Sequence, residues 1–209
     1  MLIPYAEVIA LLRLKNIEIH GALHIGAHDC EELDFYKKLG LNQDDIIWID
    51  GNRAKVNHCV ARGIKNVFYG LISDKDDAIV TFHISNNGQS SSILDFGTHS
   101  RHHSHVFYVN EEKHKTITID TFLNNNNFDM SKYDFWNFDI QGAELLALKG
   151  ALSAINHAKV LYLEVNTEEV YKGCALIDEL DTYLSTFGFK REITKITEFG
   201  WGDAVYIKV

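Results

Sequence analysis

The 209-residue sequence predicts an α/β fold, an open and mostly parallel seven-stranded sheet with helices on both faces and an antiparallel last strand. Three observations predict it. Short apolar runs alternate with helix-spaced segments along most of the chain. The runs at 46–49 (IIWI) and 160–165 (VLYLEV) are continuous, as in strands buried on both faces. The last two runs, 190–199 and 203–209, have only a Gly-Trp-Gly turn between them, so they must be antiparallel neighbours.

Taken in order, 7–14 carries Val8, Leu11 and Leu12 at helical spacing, and 21–25 is a strand closed by Gly26. Residues 31–39 repeat Leu33, Tyr36 and Leu39 as a helix would, ending at Gly40. Strand 46–49, helix 53–62 stopping at Gly63, and strand 67–72 follow. A hairpin is expected from 79–84 with 116–121, separated by a His-rich polar loop at 86–105. The Asn run at 124–127 reads as an exposed turn. Strand 133–138, helix 142–154 (Leu145, Leu148 and Leu152 on one face), strand 160–165 and helix 176–187 complete the alternation.

Composition bounds the function. Hydrophobic residues are 46% and charged residues 23%, the balance of a folded chain. A formal charge of −9 argues against a phosphate-backbone binder, so no nucleic-acid partner is expected. Three scattered cysteines (Cys30, Cys59, Cys174) exclude a disulfide scaffold or a four-cysteine zinc site and suit a reducing compartment. The apolar run at 8–12 is too short to span a bilayer. The expectation is one cytoplasmic domain over 1–209, with no membrane partner, a helical extension at 1–20 and a hairpin-and-loop insertion at 79–121.

Chemistry gathers where strands end. His24-Ile-Gly26-Ala27-His28 closes the first strand, and glycine there lets backbone approach a ligand beside free helix N–H groups. Asp50, with Gly51, ends the next strand; its carboxylate is placed either to accept both hydroxyls of a ribose or to cap the following helix. No GxGxxG occurs, so a nucleoside ligand without a diphosphate fits better than NAD. Ser73 and Asp74 end the third strand, as groups for an adenine edge or as a turn. Asp139 (followed by Ile140) and Glu164 end the fourth and fifth strands, with Glu144 on the helix between, three carboxylates at the edge where open sheets bind ligands. His20, His24 and His28 recur every four residues but straddle a glycine turn, and the loop histidines lack ligand spacing, so no metal is expected. His99 is a candidate general base, since imidazole titrates near neutrality. Gln89, Ser91, His99, Trp201 and Asp203 are candidate substrate contacts, polar or stacking groups on two flexible segments.

The segment Phe138-Asp139-Ile-Gln-Gly142-Ala-Glu144 with Leu148-Lys-Gly150-Ala resembles the FkbM family of O-methyltransferases, whose pattern there is D-[VI]-E-G-x-E…L-x-G-A. His24–His28 stands for its D-x-G-A-N, Asp50 for its acidic strand end, Ile72-Ser-Asp74 for its [AL]-S-D, Ser90-Ser91-Ser92 for its SS-L element and Ile117-Thr-Ile-Asp120 for its T-L-D. The resemblance spans about 21–209. It implies the class I methyltransferase fold, Rossmann-like with the antiparallel last strand, and S-adenosylmethionine as cofactor. It also implies transfer to a hydroxyl of a small-molecule or glycan acceptor. On that reading His24, Gly26, Ala27 and His28 pass the methionine moiety, Asp50 and Gly51 the ribose, and Ser73 and Asp74 the adenine. Asp139 and Ile140 lie nearest the methyl group, with Glu144 or Glu164 beside them. The chain departs from the pattern at His24, in place of Asp, and at Gln141, in place of Glu. Those departures leave a non-catalytic S-adenosyl nucleoside-binding module as an alternative, and an NAD-dependent oxidoreductase on the same sheet as a less favoured one.

Overall fold

The computed structural model describes all 209 residues. The first half runs α1 (Tyr5–Leu14), β1 (Ala22–Ile25), α2 (Leu33–Lys38), β2 (Ile46–Asp50), α3 (Arg53–Ala61), β3 (Val67–Tyr69), β4 (Ile79–Ser85) and α4 (His99–His102). The second half runs β5 (Tyr108–Lys115), α5 (Ile119–Asn125), β6 (Phe135–Phe138), α6 (Glu144–Lys149), β7 (Val160–Asn166), α7 (Ile177–Ser185), β8 (Phe189–Ile196) and β9 (Trp201–Lys208).

Seven strands form one sheet in the order β3-β2-β1-β6-β7-β9-β8. Pairing is parallel from β3 through β7, and β9 runs antiparallel to both β7 and β8. This is the topology of the class I methyltransferase fold. Strand order reverses between β1 and β6, which opens a crevice at their carboxyl ends.

The continuous apolar runs divide cleanly between the two faces. Leu23, Ile25, Ile47, Ile49, Trp136, Phe138, Leu161 and Leu163 pack with Phe122, Leu148, Leu180 and Leu184 of α5, α6 and α7. Their alternates Ala22, Ile46, Trp48, Phe135, Val160 and Tyr162 pack with Val8, Leu12, Phe35 and Tyr36 of α1 and α2. Period-two alternation is therefore present, but both faces are buried, so it reads as an unbroken apolar run.

Three expectations fail. The partner of 79–84 is not 116–121 but β5, which pairs antiparallel with β4 in a separate two-stranded sheet. The sequence of β5 (YVNEEKHK) is largely exposed and polar, so it carries no apolar signal. Thr116 and Ile117 follow as a single bridge to Ile72, and Thr118 then caps α5 by accepting a hydrogen bond from Thr121 N at 3.1 Å. The helix expected at 142–154 is also cut short, because α6 ends at Lys149 and Leu152 is 62% exposed. Asp120 accepts hydrogen bonds from Ser153 N (2.8 Å) and Ala154 N (2.9 Å), starting a separate 3-10 turn at Ala154–Asn156. The strand expected at 67–72 ends at Tyr69, which frees Gly70, Leu71 and Ile72 to line the crevice. The Asn run closes α5, with Asn127 in the left-handed region at φ 56°.

Gly150 explains its place in the L-x-G-A pattern. A Cβ built on it would lie 2.2 Å from the Ser73 carbonyl oxygen, so the end of α6 touches the 70–74 segment backbone to backbone. Gly150→Val should lower unfolding free energy by about 3 kcal/mol, the upper range for overpacking, as read by denaturant melts. A wild-type midpoint would show that the segment simply moves aside.

Candidate active site

A cleft of about 560 Å³ opens at the carboxyl ends of β1, β2, β6 and β7, a volume within the range of small-molecule sites. Gly26 sets its floor. With φ +91° and a hypothetical Cβ only 1.8 Å from the Asp139 carbonyl oxygen, it lets the ends of β1 and β6 close on each other.

Asp50 lines the cleft and is half-buried. Its Oδ2 accepts from His28 N at 2.7 Å and its Oδ1 from Asn52 N at 2.6 Å. Burial raises its carboxyl above the ordinary value against the pull of those two N–H groups. Each oxygen has a second lone pair for a ligand hydroxyl. The cap of α3 is Asn52, which accepts from Ala54 N at 3.0 Å, so Asp50 is not the helix cap. His28 Nδ1 is paired with Glu31 at 2.9 Å, while its buried Nε2 has no partner and the residue lines the cleft.

The carboxylates of β6 and β7 are joined by one amide. Gln141 Nε2 donates to Asp139 Oδ1 at 2.6 Å and also to Glu164 Oε2, while Tyr171 O–H donates to Gln141 Oε1. Gln141 holds this bridge from a left-handed backbone conformation, φ 57°. Burial, then the charge of Asp139, pushes the Glu164 carboxyl well above its usual range. Glu144 has a different place from that expected. It does not line the cleft; it is 2% exposed, and its Oε1 accepts from Ile140 N (3.0 Å) and Gly142 N (3.3 Å). It holds the loop that carries Gln141.

The insertion closes the other side. Ser92 Oγ donates to the Gln141 carbonyl at 2.8 Å, Gly97 N to Val170 O at 2.9 Å, and Thr98 Oγ1 to Glu168 at 2.8 Å. Four rings stack in sequence from β4 to the cleft: His83 on Tyr108 (4.6 Å), Tyr108 on Phe96 (4.0 Å) and Phe96 on His99 (4.3 Å, 7° from parallel). His99 is 6% exposed, its Nδ1 is buried without a partner, and burial followed by the nearby His103 lowers it to about 4. It is a neutral imidazole at neutral pH.

Of the candidate residues, His24, Gly26, His28, Asp50, Gly51, Asp139, Ile140, Glu164, Gln89, Ser91, His99, Trp201 and Asp203 all line this one cleft. Ala27, Ser73, Asp74 and Glu144 do not. Ala27 is buried in the core, and Ser73 Oγ is turned to Asp74 at 3.3 Å. Leu71 and Ile72 take their place against the cleft, with Phe82 beside them. Asp203 lies in β9, opposite Glu164, and is engaged by Tyr162 O–H and Leu2 N. Glu32, Tyr162 and Tyr171 line the cleft without having been singled out from sequence, and His103 and His105 of the His-rich loop line it as well. His20, His24 and His28 do not converge; His20 pairs with Asp134 at 2.8 Å and His24 with Tyr36 O–H at 2.9 Å. His28, Asp29 and Glu31 could each turn one ligand atom to a common point, but Lys55 Nζ already stands 2.9 Å from Asp29.

Residues 24–191 match the model of the methyltransferase FkbM domain. The chain belongs to that family. By that membership the protein is an S-adenosylmethionine-dependent methyltransferase. No curated protein matches the chain. Among solved structures it is similar to magnesium protoporphyrin IX methyltransferase from Synechocystis PCC 6803 with bound S-adenosylmethionine. Identity there is 11% over 98% of this chain and 78% of that one, with a TM-score of 0.46. A S-adenosylmethionine-dependent methyltransferase from Bacteroides fragilis, in complex with S-adenosyl-L-homocysteine, gives 9% identity over 100% and 79%, with a TM-score of 0.47. Both are too distant to transfer a substrate or a residue role.

Burial raises the Glu144 carboxyl from 4.5 to about 7. A raised carboxyl stabilises the fold below pH 4.5, where it is protonated in both states, and that contribution is lost as pH rises through about 7. Glu144→Gln should therefore match wild type near pH 5 and exceed it near pH 8 by on the order of 1–3 kcal/mol in urea melts. Parallel pH profiles would mean that Glu144 is ionised at little cost.

Proposed function

We propose that the cleft transfers a methyl group from S-adenosylmethionine to a hydroxyl of an uncharged, polar acceptor of the sugar type. The observation that carries this reading is one continuous cleft. It joins Gly26 and Asp50 at one end, Asp139 and Glu164 in the middle, and His99 and Trp201 at the other.

The residues present fit the donor. Half-buried Asp50 has lone pairs to spare for two ribose hydroxyls, and charge-assisted bonds of that kind contribute about 1.5–3 kcal/mol each. Ile49, Leu71, Ile72 and Phe82 give an apolar wall for a base, and the unpartnered His28 Nε2 gives a buried polar atom that a ligand can satisfy. When bound, the sulfonium supplies an already activated methyl group.

The chain's own work is alignment and proton removal. Asp139, held beside a Glu164 of suppressed ionisation by Gln141, puts negative potential beside the cationic centre. His99 is unprotonated at neutral pH and its buried Nδ1 has no partner, so the ring is the base we assign to the acceptor's hydroxyl proton. A low basicity suffices, because an oxygen that is gaining a methyl group becomes a far stronger acid than a free hydroxyl. Trp201 lines the same end and offers a ring face for a sugar.

Charge supports the acceptor class. The acids lining the cleft are Glu31, Glu32, Asp50, Asp139, Glu164 and Asp203, and the only Lys or Arg is Lys55, which is paired with Asp29. Phosphorylated acceptors and nucleic acid would enter against that field. No helix is long and apolar enough to cross a membrane.

His99→Phe keeps the stack on Phe96 and removes the nitrogen. We expect kcat to fall about 100-fold, with S-adenosylmethionine affinity within about twofold of wild type, measured by release of S-adenosylhomocysteine against a panel of neutral and anionic glycosides. Unchanged kcat would reduce His99 to packing, and turnover confined to anionic glycosides would overturn the acceptor class. Asp50→Ala should weaken S-adenosylmethionine binding by more than about tenfold in calorimetry. An equal dissociation constant would leave Asp50 with only its two backbone contacts.

A further inference from the structure

We propose that Glu32, at the start of α2, receives the α-ammonium group of the methyl donor, in the place that the family pattern gives to a carboxylate at position 24. The inference rests on the reading of the cleft as the S-adenosylmethionine site.

Position 24 cannot do this itself. His24 is 2% exposed, its Nδ1 is tied to Tyr36 O–H at 2.9 Å, and its ring leans on Trp48 with centroids 4.8 Å apart. Burial lowers it to about 4, so it is a neutral imidazole with no negative charge to offer a cation. Glu32 stands directly beside it, with Oε2 4.0 Å from His24 Nε2, and both residues line the cleft, His24 two positions before Gly26 in β1 and Glu32 immediately before α2.

The other acids at this end are already engaged. Glu31 accepts from His28 Nδ1 and from Asp29 N, Asp139 from Gln141, and Asp203 from Tyr162 and Leu2. Glu32 has no such donor from another side chain, and the one basic side chain within 4.0 Å of it is the neutral His24. Its side chain is 14% exposed, so the carboxylate is largely desolvated, and it lines the cleft. Burial pushes it up to about 7, eased by the amino group of Met1, as expected of a buried carboxylate that lacks a full counter-charge. A ligand ammonium would supply that charge and three donors.

The test is calorimetry on wild type and Glu32→Gln with three ligands: S-adenosylmethionine, S-adenosylhomocysteine and 5′-methylthioadenosine. The first two carry the ammonium, only the first carries the sulfonium, and the third carries neither. The expected result is a loss of tenfold or more for the first two alike in Glu32→Gln, with methylthioadenosine affinity unchanged, which also shows that the variant folds. Restoring a carboxylate at the family position, as His24→Asp in the Glu32→Gln background, should recover most of the lost affinity. Equal binding of S-adenosylhomocysteine to both proteins would overturn the inference. A loss confined to S-adenosylmethionine would assign Glu32 to the sulfonium and overturn it too. Failure of wild type to bind any of the three would instead remove the reading of the cleft, and this inference with it.

Discussion

Two carboxylates that would repel each other in a dry site are held together by one neutral amide, and the rest of the active-site end depends on it. Gln141 can donate to Asp139 and Glu164 only because its backbone adopts a left-handed conformation. That conformation needs Gly142 beside it and the grip of Glu144 on the N–H groups of the loop. Tyr171 from the β7–α7 connection and Ser92 from the insertion then dock on the same residue, one on its side chain and one on its carbonyl. A glutamate at this position would set a third carboxyl group against Asp139 and Glu164 where this chain has a donor. Glutamine therefore trades charge for connectivity, and the field presented to a cationic ligand is that of Asp139 with a Glu164 whose ionisation is suppressed.

Much of the architecture was legible because its cause is local. Strands such as Ile46–Asp50 and Val160–Asn166 are buried on both faces and announce themselves as apolar runs, and the missing helix between β8 and β9 fixes their antiparallel pairing. Polar β5 was not legible, since an exposed strand held mainly by its ladder to β4 leaves no hydrophobic pattern. The early end of α6 was hidden for another reason. It is imposed by Asp120, more than thirty residues away, and by the close backbone of Ser73.

The same division holds for the cleft. Residues at strand ends, Asp50 and Asp139 above all, could be placed from topology alone, because parallel strands present their carboxyl ends together. Glu32 and Tyr171 could not. One looks like an ordinary acidic residue at a helix start, the other like a core aromatic, and each reaches the cleft only through tertiary packing. Ser73 and Asp74 show the opposite error. A strand that ends two or three residues early brings its last apolar residues to the ligand side and turns the polar ones away.

The row of stacked rings from His83 to His99 has a consequence for how such a protein changes its preferences. The hairpin bearing β4 and β5 lies outside the main sheet, yet it is joined by an unbroken row of ring contacts to an imidazole in the wall of the cleft. Substitutions on that ribbon therefore bear on the wall of the cleft that holds His99 without touching the floor formed by Gly26 and Asp50. A solvent-facing ribbon thus gives sequence drift a route to one wall of the cleft that leaves the sheet beneath it unchanged.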